Sequence, residues 1–216
     1  MHLNVLIVDD HRILRQGLKS LLEKEPDLHV AAEADDGREA LDILASTPID
    51  LVIMDVAMPG LNGIEATRKL SSLTPAVKVI GLSMHTDRRF VAEMLKSGAV
   101  GFVSKDSAFE ELVQAIRTVQ GGQIYLSPSA AGVVVDEYLR RSFPAEPSAF
   151  SKLTAREREV LQLMSEGRNT KQIAMDLHVS IKTVETHRRQ VMEKLGLYSV
   201  AELTKYAIRE GLTTLA

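Results

Sequence analysis

The chain has no cysteine and no tryptophan, and aromatic residues make up only 4% of it. Without thiols, disulfides, thiol catalysis and cysteine-ligated zinc are excluded. The six histidines show no metal-binding spacing. No apolar run approaches the roughly 20 residues that span a bilayer, so no membrane segment is expected. The N-terminus enters a strand-like run, "LNVLIV", almost at once, so no signal peptide is expected either. Internal repeats and low-complexity tracts are also missing. These absences leave a cytoplasmic globular protein as the expectation.

What is present fits that expectation. The 216 residues suffice for one large domain or two smaller ones, and the apolar (45%) and charged (25%) fractions are ordinary for a globular chain. The net charge of −3 hides an asymmetry: 11 basic and 8 acidic residues follow from Ser151 onward, against 15 and 21 before it. An acidic front and a mildly basic back suggest different partners for the two halves.

The first 120 residues or so alternate short apolar runs with amphipathic segments. Leu3–Val8, Leu28–Ala34, Asp50–Met54, Val77–Ser83 and Val100–Ser104 read as strands, each rich in Val, Ile or Leu and bounded by polar or turn residues. Segments such as "RILRQGLKSLLEKE" carry their apolar residues on one helical face. Five βα units in series predict an α/β domain over 1–122: a five-stranded parallel, doubly wound, flavodoxin-like sheet with helices on both faces. Residues 123–150 read as a linker with a helix at 128–141, capped by Ser127 and started by Pro128. Its last part, "FPAEPSAFS" (Phe143–Ser151), has two prolines and no periodicity. Residues 151–216 read as an all-α domain of four helices with N-caps at Thr154, Thr170 (or Asn169), Ser180 and Ser199.

In an open parallel sheet, ligands bind beyond the C-terminal ends of the strands. Asp9 and Asp10 follow the first strand, Asp55 the third, Ser83 the fourth and Lys105 the fifth. Any one of these acids is equally well explained as a helix N-cap or a solvated loop residue; the whole set meeting by chance is not expected. Crowded carboxylates repel unless a cation neutralises them, and hard oxygens with room for water and a phosphate oxygen suit Mg²⁺ (or Mn²⁺). A carboxylate is also a competent nucleophile toward a phosphoryl group. A nucleotide site fits poorly, because "DDHRIL" after the first strand offers no glycine loop to cradle phosphates.

"VLIVDDHRILRQGL", "DLVIMDVAMPGLNGIEATRKL", "VIGLSMH" and "GAVGFVSKD" resemble, in order and spacing, the receiver domain of bacterial two-component response regulators. That resemblance implies that Asp55 accepts phosphate from a sensor histidine kinase. It further implies that Asp10, Asp55 and the backbone carbonyl of Ala57 ligate Mg²⁺, with Asp9 assisting, and that Ser83 and Lys105 contact the phosphoryl oxygens. Phe102 takes the switch-aromatic position by that resemblance; the sequence alone favours a plain core aromatic. Two departures stand out. Asp106 occupies the place of a common proline after the lysine, and a cis bond before a non-proline costs about 3 kcal/mol, so the loop geometry is left open. Ala57 and His85 stand where the family tunes phosphate loss; Ala57 has no polar group to orient water, whereas His85 has one, and a phospho-form lasting minutes to hours is expected.

In the second domain, "NTKQIAMDLHVSIKTVETHRRQVMEKLG" has the organisation of a helix-turn-helix. Ile173, Ala174 and Leu177 would face inward on a short helix, with Val179 in the turn. Val184, Val191 and Leu195 would face inward on the helix Ile181–Leu195. Histidine tolerates a positive φ better than most residues, so His178 reads as a turn residue. A plain helical bundle with a solvated face has the same periodicity. "LTAREREVLQLMSEGRNTKQIA" and "VSIKTVETHRRQVMEKLG" resemble the LuxR-type DNA-binding domain, which makes the whole chain similar to regulators of the NarL/FixJ type. The resemblance implies that Glu185, Thr186 and Arg189 approach base edges while Lys182, Thr183 and Arg188 hold phosphates. It also implies promoter DNA, a second copy of the chain (a homodimer) and RNA polymerase as partners. Part of the last helix, with Val200, Leu203, Ala207 and Ile208, would serve the dimer or simply the core.

The function expected is therefore a transcription regulator switched by phosphorylation, not an enzyme that turns over substrate. Two rivals remain at this stage. One is a phosphatase using Asp55 as nucleophile, for which Ala57 lacks the second acid–base group. The other is a receiver acting through protein contacts alone.

Overall fold

The computed structural model describes residues 2–84, 88–106, 109–140 and 152–213. His85 and the proline-containing stretch Phe143–Ser151 lie outside the described residues. Contacts divide the chain into two compact units, Met1–Phe143 and Pro144–Ala216.

The first unit runs β1 (Leu3–Val8), α1 (Arg12–Leu22), β2 (Leu28–Ala34), α2 (Gly37–Ser46), β3 (Leu51–Asp55), α3 (Gly63–Leu73), β4 (Lys78–Ser83), α4 (Arg88–Lys96), β5 (Gly101–Ser104), α5 (Phe109–Gln120), β6 (Tyr125–Leu126) and α6 (Pro128–Arg140). The strands form one parallel sheet in the order β2-β1-β3-β4-β5-β6. Strand order reverses between β1 and β3, which opens a crevice beyond their C-terminal ends. β3 is buried at every position. Each of its aliphatic side chains contributes about 1.5–3 kcal/mol, which anchors the acid at its tip. Asp36 and Asn62 cap α2 and α3 with their side-chain oxygens, satisfying helix N–H groups that water would otherwise have to bond.

The sheet has a sixth strand where the sequence predicts five. Tyr125 N donates to Val100 O (3.1 Å) and Ser127 N to Phe102 O (2.9 Å). A two-residue strand is too short to carry a periodic signal, so "YL" reads as linker in the sequence. Beyond Gly122, where the sequence places the end of the first domain, β6 and α6 still belong to the first unit. Ser127 Oγ lies 3.4 Å from Ala130 N at the start of α6, and Ala130 is fully buried.

The second unit contains α7 (Ala155–Ser165), α8 (Thr170–Asp176), α9 (Ile181–Leu195) and α10 (Val200–Arg209). α7, α8 and α10 start with capping boxes at Thr154, Asn169 and Ser199, and Ser180 caps α9 by accepting from Thr183 N. Lys194 Nζ reaches the buried Glu157 at 2.7 Å, and Arg156 Nη2 donates to Leu177 O at 2.7 Å, so charged side chains tie α9 and the end of α8 to α7. The core gathers Val160, Ile173, Ala174, Leu177, Val184, Val191, Leu203 and Ala207.

Candidate functional site

The crevice of the first unit collects the acids. β1 and β3 pair with Val8 opposite Met54, so Asp9 emerges beside Asp55. β3 and β4 pair with Asp55 opposite Leu82, which places Ser83 one step further on. Ser83 lies opposite Ser104, and the next residue, Lys105, donates its N–H to Ser83 O at 2.8 Å. Asp9, Asp55 and Ser83 are each at least 97% buried.

Lys105 Nζ lies 2.7 Å from Asp55 Oδ2 and 2.7 Å from Asp9 Oδ2. The first contact is a hydrogen bond and the second a short ion pair. Ala57 N approaches Asp55 Oδ1 at 3.3 Å. One ammonium thus serves two buried carboxylates. Burial pushes the Asp55 carboxyl up to about 6, and the nearby Asp9 adds to it; Lys105 pulls down without cancelling them. Burial alone would lower the Lys105 ammonium, but Asp55 and Asp9 outweigh it and hold it above its usual range. The pocket is therefore short of positive charge.

That shortage fits a cation, since Asp9 Oδ2 and Asp55 Oδ2 share a single ammonium. One ligand atom from each of Asp9, Asp10, His11 and Asp55 lies within 4.8 Å of all the others. Oxygen donors of this kind suit Mg²⁺. Asp10 itself is exposed and points to His11 Nδ1 at 3.0 Å.

Phe102 is completely buried against Gly81, where an added Cβ would come within 3.2 Å of the ring. The Lys105–Asp106 peptide is trans.

Three supporting residues went unnoticed in the sequence. Arg15, 8% exposed, donates Nη1 to the carbonyl of Asp9 and pairs with Glu33 (3.2 Å) and Asp35 (2.5 Å). Gly63 sits where a Cβ would be 1.9 Å from the Asp55 carbonyl oxygen, so the first turn of α3 can pack on that backbone only without a side chain. His11 faces both Asp9 and Asp10. The glycine directly after the Asn62 cap and the histidine in "DDH" were the available signals; Arg15 has none, since its carboxylate partners lie 18 and 20 positions away.

In the second unit, α8 and α9 pack through Ile173, Ala174 and Val184, joined by a turn in which His178 adopts φ 53°. Lys182, Glu185 and Arg189 are exposed on α9. The other three predicted residues are half-buried and engaged within the protein. Arg188 Nη1 donates to Thr170 Oγ1 (2.6 Å), Thr186 Oγ1 to Lys182 O (3.0 Å), and Thr183 shares a bond with Ser180 Oγ (2.8 Å). Ile181 and Tyr198, not singled out in the sequence, are exposed beside this face at 44% and 71%. On α10, Leu203 and Ala207 are buried while Val200 is 49% exposed. No helix among the described residues is long and apolar enough to cross a membrane.

Residues 5–117 match the response regulator receiver domain family and residues 151–207 match the luxR family of bacterial regulatory proteins. Among similar proteins, the response regulator UvrY of Escherichia coli strain K12 is 36% identical over 97% of this chain and 95% of its own. The oxygen regulatory protein NreC of Staphylococcus epidermidis is 38% identical over 97% of this chain and 99% of its own. A structure of the RcsB response regulator of Salmonella typhimurium aligns with a TM-score of 0.68 at 26% identity, covering 99% of each chain. The two-component response regulator RcsB bound to DNA aligns at 0.61 and 27% identity, over 95% of this chain and 98% of that one. With a parallel α/β domain carrying an acidic pocket, a helix-turn-helix following it in the sequence and relatives that match nearly end to end, the chain belongs to the two-component response regulators of the NarL/FixJ type.

Proposed function

We propose that the chain is a transcription regulator switched by phosphorylation of Asp55. The observation that carries this is the ammonium of Lys105, 2.7 Å from both Asp55 Oδ2 and Asp9 Oδ2 in a buried strand-tip pocket. An oxygen of Asp55 attacks the phosphorus of a phosphohistidine on a sensor histidine kinase. The P–N bond breaks as the O–P bond forms, and the kinase ring, protonated on its other nitrogen, leaves as neutral imidazole. Lys105 and Ser83 hold the phosphoryl oxygens, and the rigid apolar β3 keeps the nucleophile in line. A bound Mg²⁺ (or Mn²⁺), held by Asp10, Asp55 and the Ala57 carbonyl with Asp9 assisting, supplies the missing positive charge against the phosphoryl oxygens.

Phosphate draws Ser83 and Lys105 inward, and the buried Phe102 ring follows Ser83, remodelling the face of α4, β5 and α5. It does so by favouring one of two pre-existing states. Residues 1–122 accept the phosphate, 123–150 carry the change onward, and 151–216 bind promoter DNA in the cytoplasm. Two copies pair on a pseudo-palindromic site, with α9 in the major groove and RNA polymerase as the onward partner. Arg189 reads guanine, Glu185 accepts from cytosine N4, and Thr186 lies near a base edge; Lys182, Thr183 and Arg188 hold phosphates. The chain takes up its own phosphate and loses it slowly; it turns over no substrate.

Incubation with acetyl phosphate and Mg²⁺, followed by hydride trapping and peptide mapping, tests the assignment. Label on Asp55, and none in Asp55→Asn, is the expected result; label elsewhere in the wild type contradicts it.

A further inference from the structure

His11 has no task in this scheme, yet it stands among the acids. Its Nδ1 lies 3.0 Å from Asp10 Oδ1 and 3.3 Å from Asp9 Oδ1. The ring does not serve the helix: His11 is the N-cap of α1, but its side chain caps nothing. Its backbone N–H donates to Asp9 Oδ1 at 2.8 Å, which fixes the residue against Asp9. The side chain is 67% exposed, so the ring can turn without disturbing the core. Beside it, the buried Asp9 has only the Lys105 ammonium against its Oδ2, and it shares that ammonium with Asp55.

Mg²⁺ prefers oxygen donors and water, whereas Mn²⁺, Co²⁺ and Ni²⁺ take imidazole more readily, Ni²⁺ the most strongly of these. We propose that His11 Nδ1 is a ligand in this pocket and tilts its selectivity from Mg²⁺ toward imidazole-binding divalent transition ions. The inference rests on the pocket being a cation site. Turning the Nδ1 lone pair to the ion leaves the ring proton on Nε2, so the ring stays neutral and adds no charge to the site.

The test uses the full chain without a histidine tag, stripped of metal. Pulsed paramagnetic resonance of bound Mn²⁺ reads nitrogen ligation, and calorimetry with Mg²⁺, Mn²⁺ and Ni²⁺ reads selectivity, each on wild type, His11→Ala and His11→Gln. Nitrogen coupling is expected in the wild type alone, and excess Mg²⁺ displaces the coupled Mn²⁺. Both variants lose about tenfold or more in Ni²⁺ affinity while Mg²⁺ affinity holds. Bound Mn²⁺ without nitrogen coupling, coupling that survives in either variant or resists Mg²⁺, or an equal loss for Mg²⁺ and Ni²⁺ overturns the inference and leaves the cation site standing. Failure of the wild type to bind any of the three ions overturns both.

Discussion

The two units spend their charges in opposite places. In the first, Asp9, Asp55 and Lys105 are buried at the end of a sheet and held against one another. In the second, Lys182, Glu185 and Arg189 stand exposed along one helix. Burying an ion costs several kcal/mol, and good geometry must offset it. The pocket can therefore be changed only together with the fold that supports it. An exposed charge costs the fold almost nothing and acts only when a partner arrives. On the proposed function, sensing is built into the core of the first unit, and reading is laid on the surface of the second.

The largest effect is expected at Gly63. A methyl there would fall 1.9 Å from the Asp55 carbonyl oxygen, so Gly63→Ala must push α3 or the tip of β3 aside. Thermal unfolding of the first unit should drop by about 3 kcal/mol, with phosphate uptake from acetyl phosphate falling alongside. A variant as stable and as reactive as the wild type would show that the pocket does not depend on this close approach.

The next effect concerns the buried charge itself. Asp55 keeps its proton up to about 6, against an ordinary value of 3.8. A carboxyl whose folded value is raised holds more protons folded than unfolded. Metal-free stability therefore falls as pH rises from about 4 to about 6, and the deficit persists at neutral pH. Asp55→Asn removes the titrating group, so its effect on unfolding should be more favourable at pH 7 than at pH 4 by about 2 kcal/mol. Mg²⁺ should shrink that difference. Equal effects of the substitution at the two pH values would remove the strained carboxylate from the account.

The smallest effects are expected on the exposed helix. Arg189→Ala and Lys182→Ala should leave unfolding within about 0.5 kcal/mol of the wild type. On DNA they should separate. Lys182→Ala weakens binding across sequences and lowers the salt slope by about 1, while Arg189→Ala costs about 1–3 kcal/mol at one base position. Titrations at several salt concentrations, on specific and scrambled duplexes, distinguish them. A loss of fold in either variant would erase the contrast between the units.

Much of this was legible in the sequence, for reasons that differ by residue. Asp55 is conspicuous because a carboxylate ends an otherwise apolar strand, and Asp9, Ser83 and Lys105 follow from strand ends in a parallel sheet. Val184 and Val191 turn inward as helical periodicity requires, and His178 takes the positive φ expected in the turn. What stayed hidden depends on distance through space. β6 is specified by hydrogen bonds to Val100 and Phe102 rather than by its own two residues. The clearance at Gly63 depends on the carbonyl of Asp55, eight positions earlier. On α9, the resemblance implies DNA contacts for Thr186 and Arg188, but it cannot foresee that Thr186 bonds its own helix or that Arg188 reaches Thr170.

The central question is whether the buried pocket governs the exposed helix. A selection of genomic fragments by the full chain, with and without beryllofluoride and Mg²⁺, for wild type and Asp55→Asn, measures this in one experiment. Promoter fragments strongly enriched by beryllofluoride in the wild type, with no enrichment by it in Asp55→Asn, are the expected result. Equal recovery in all four arms would contradict control by Asp55.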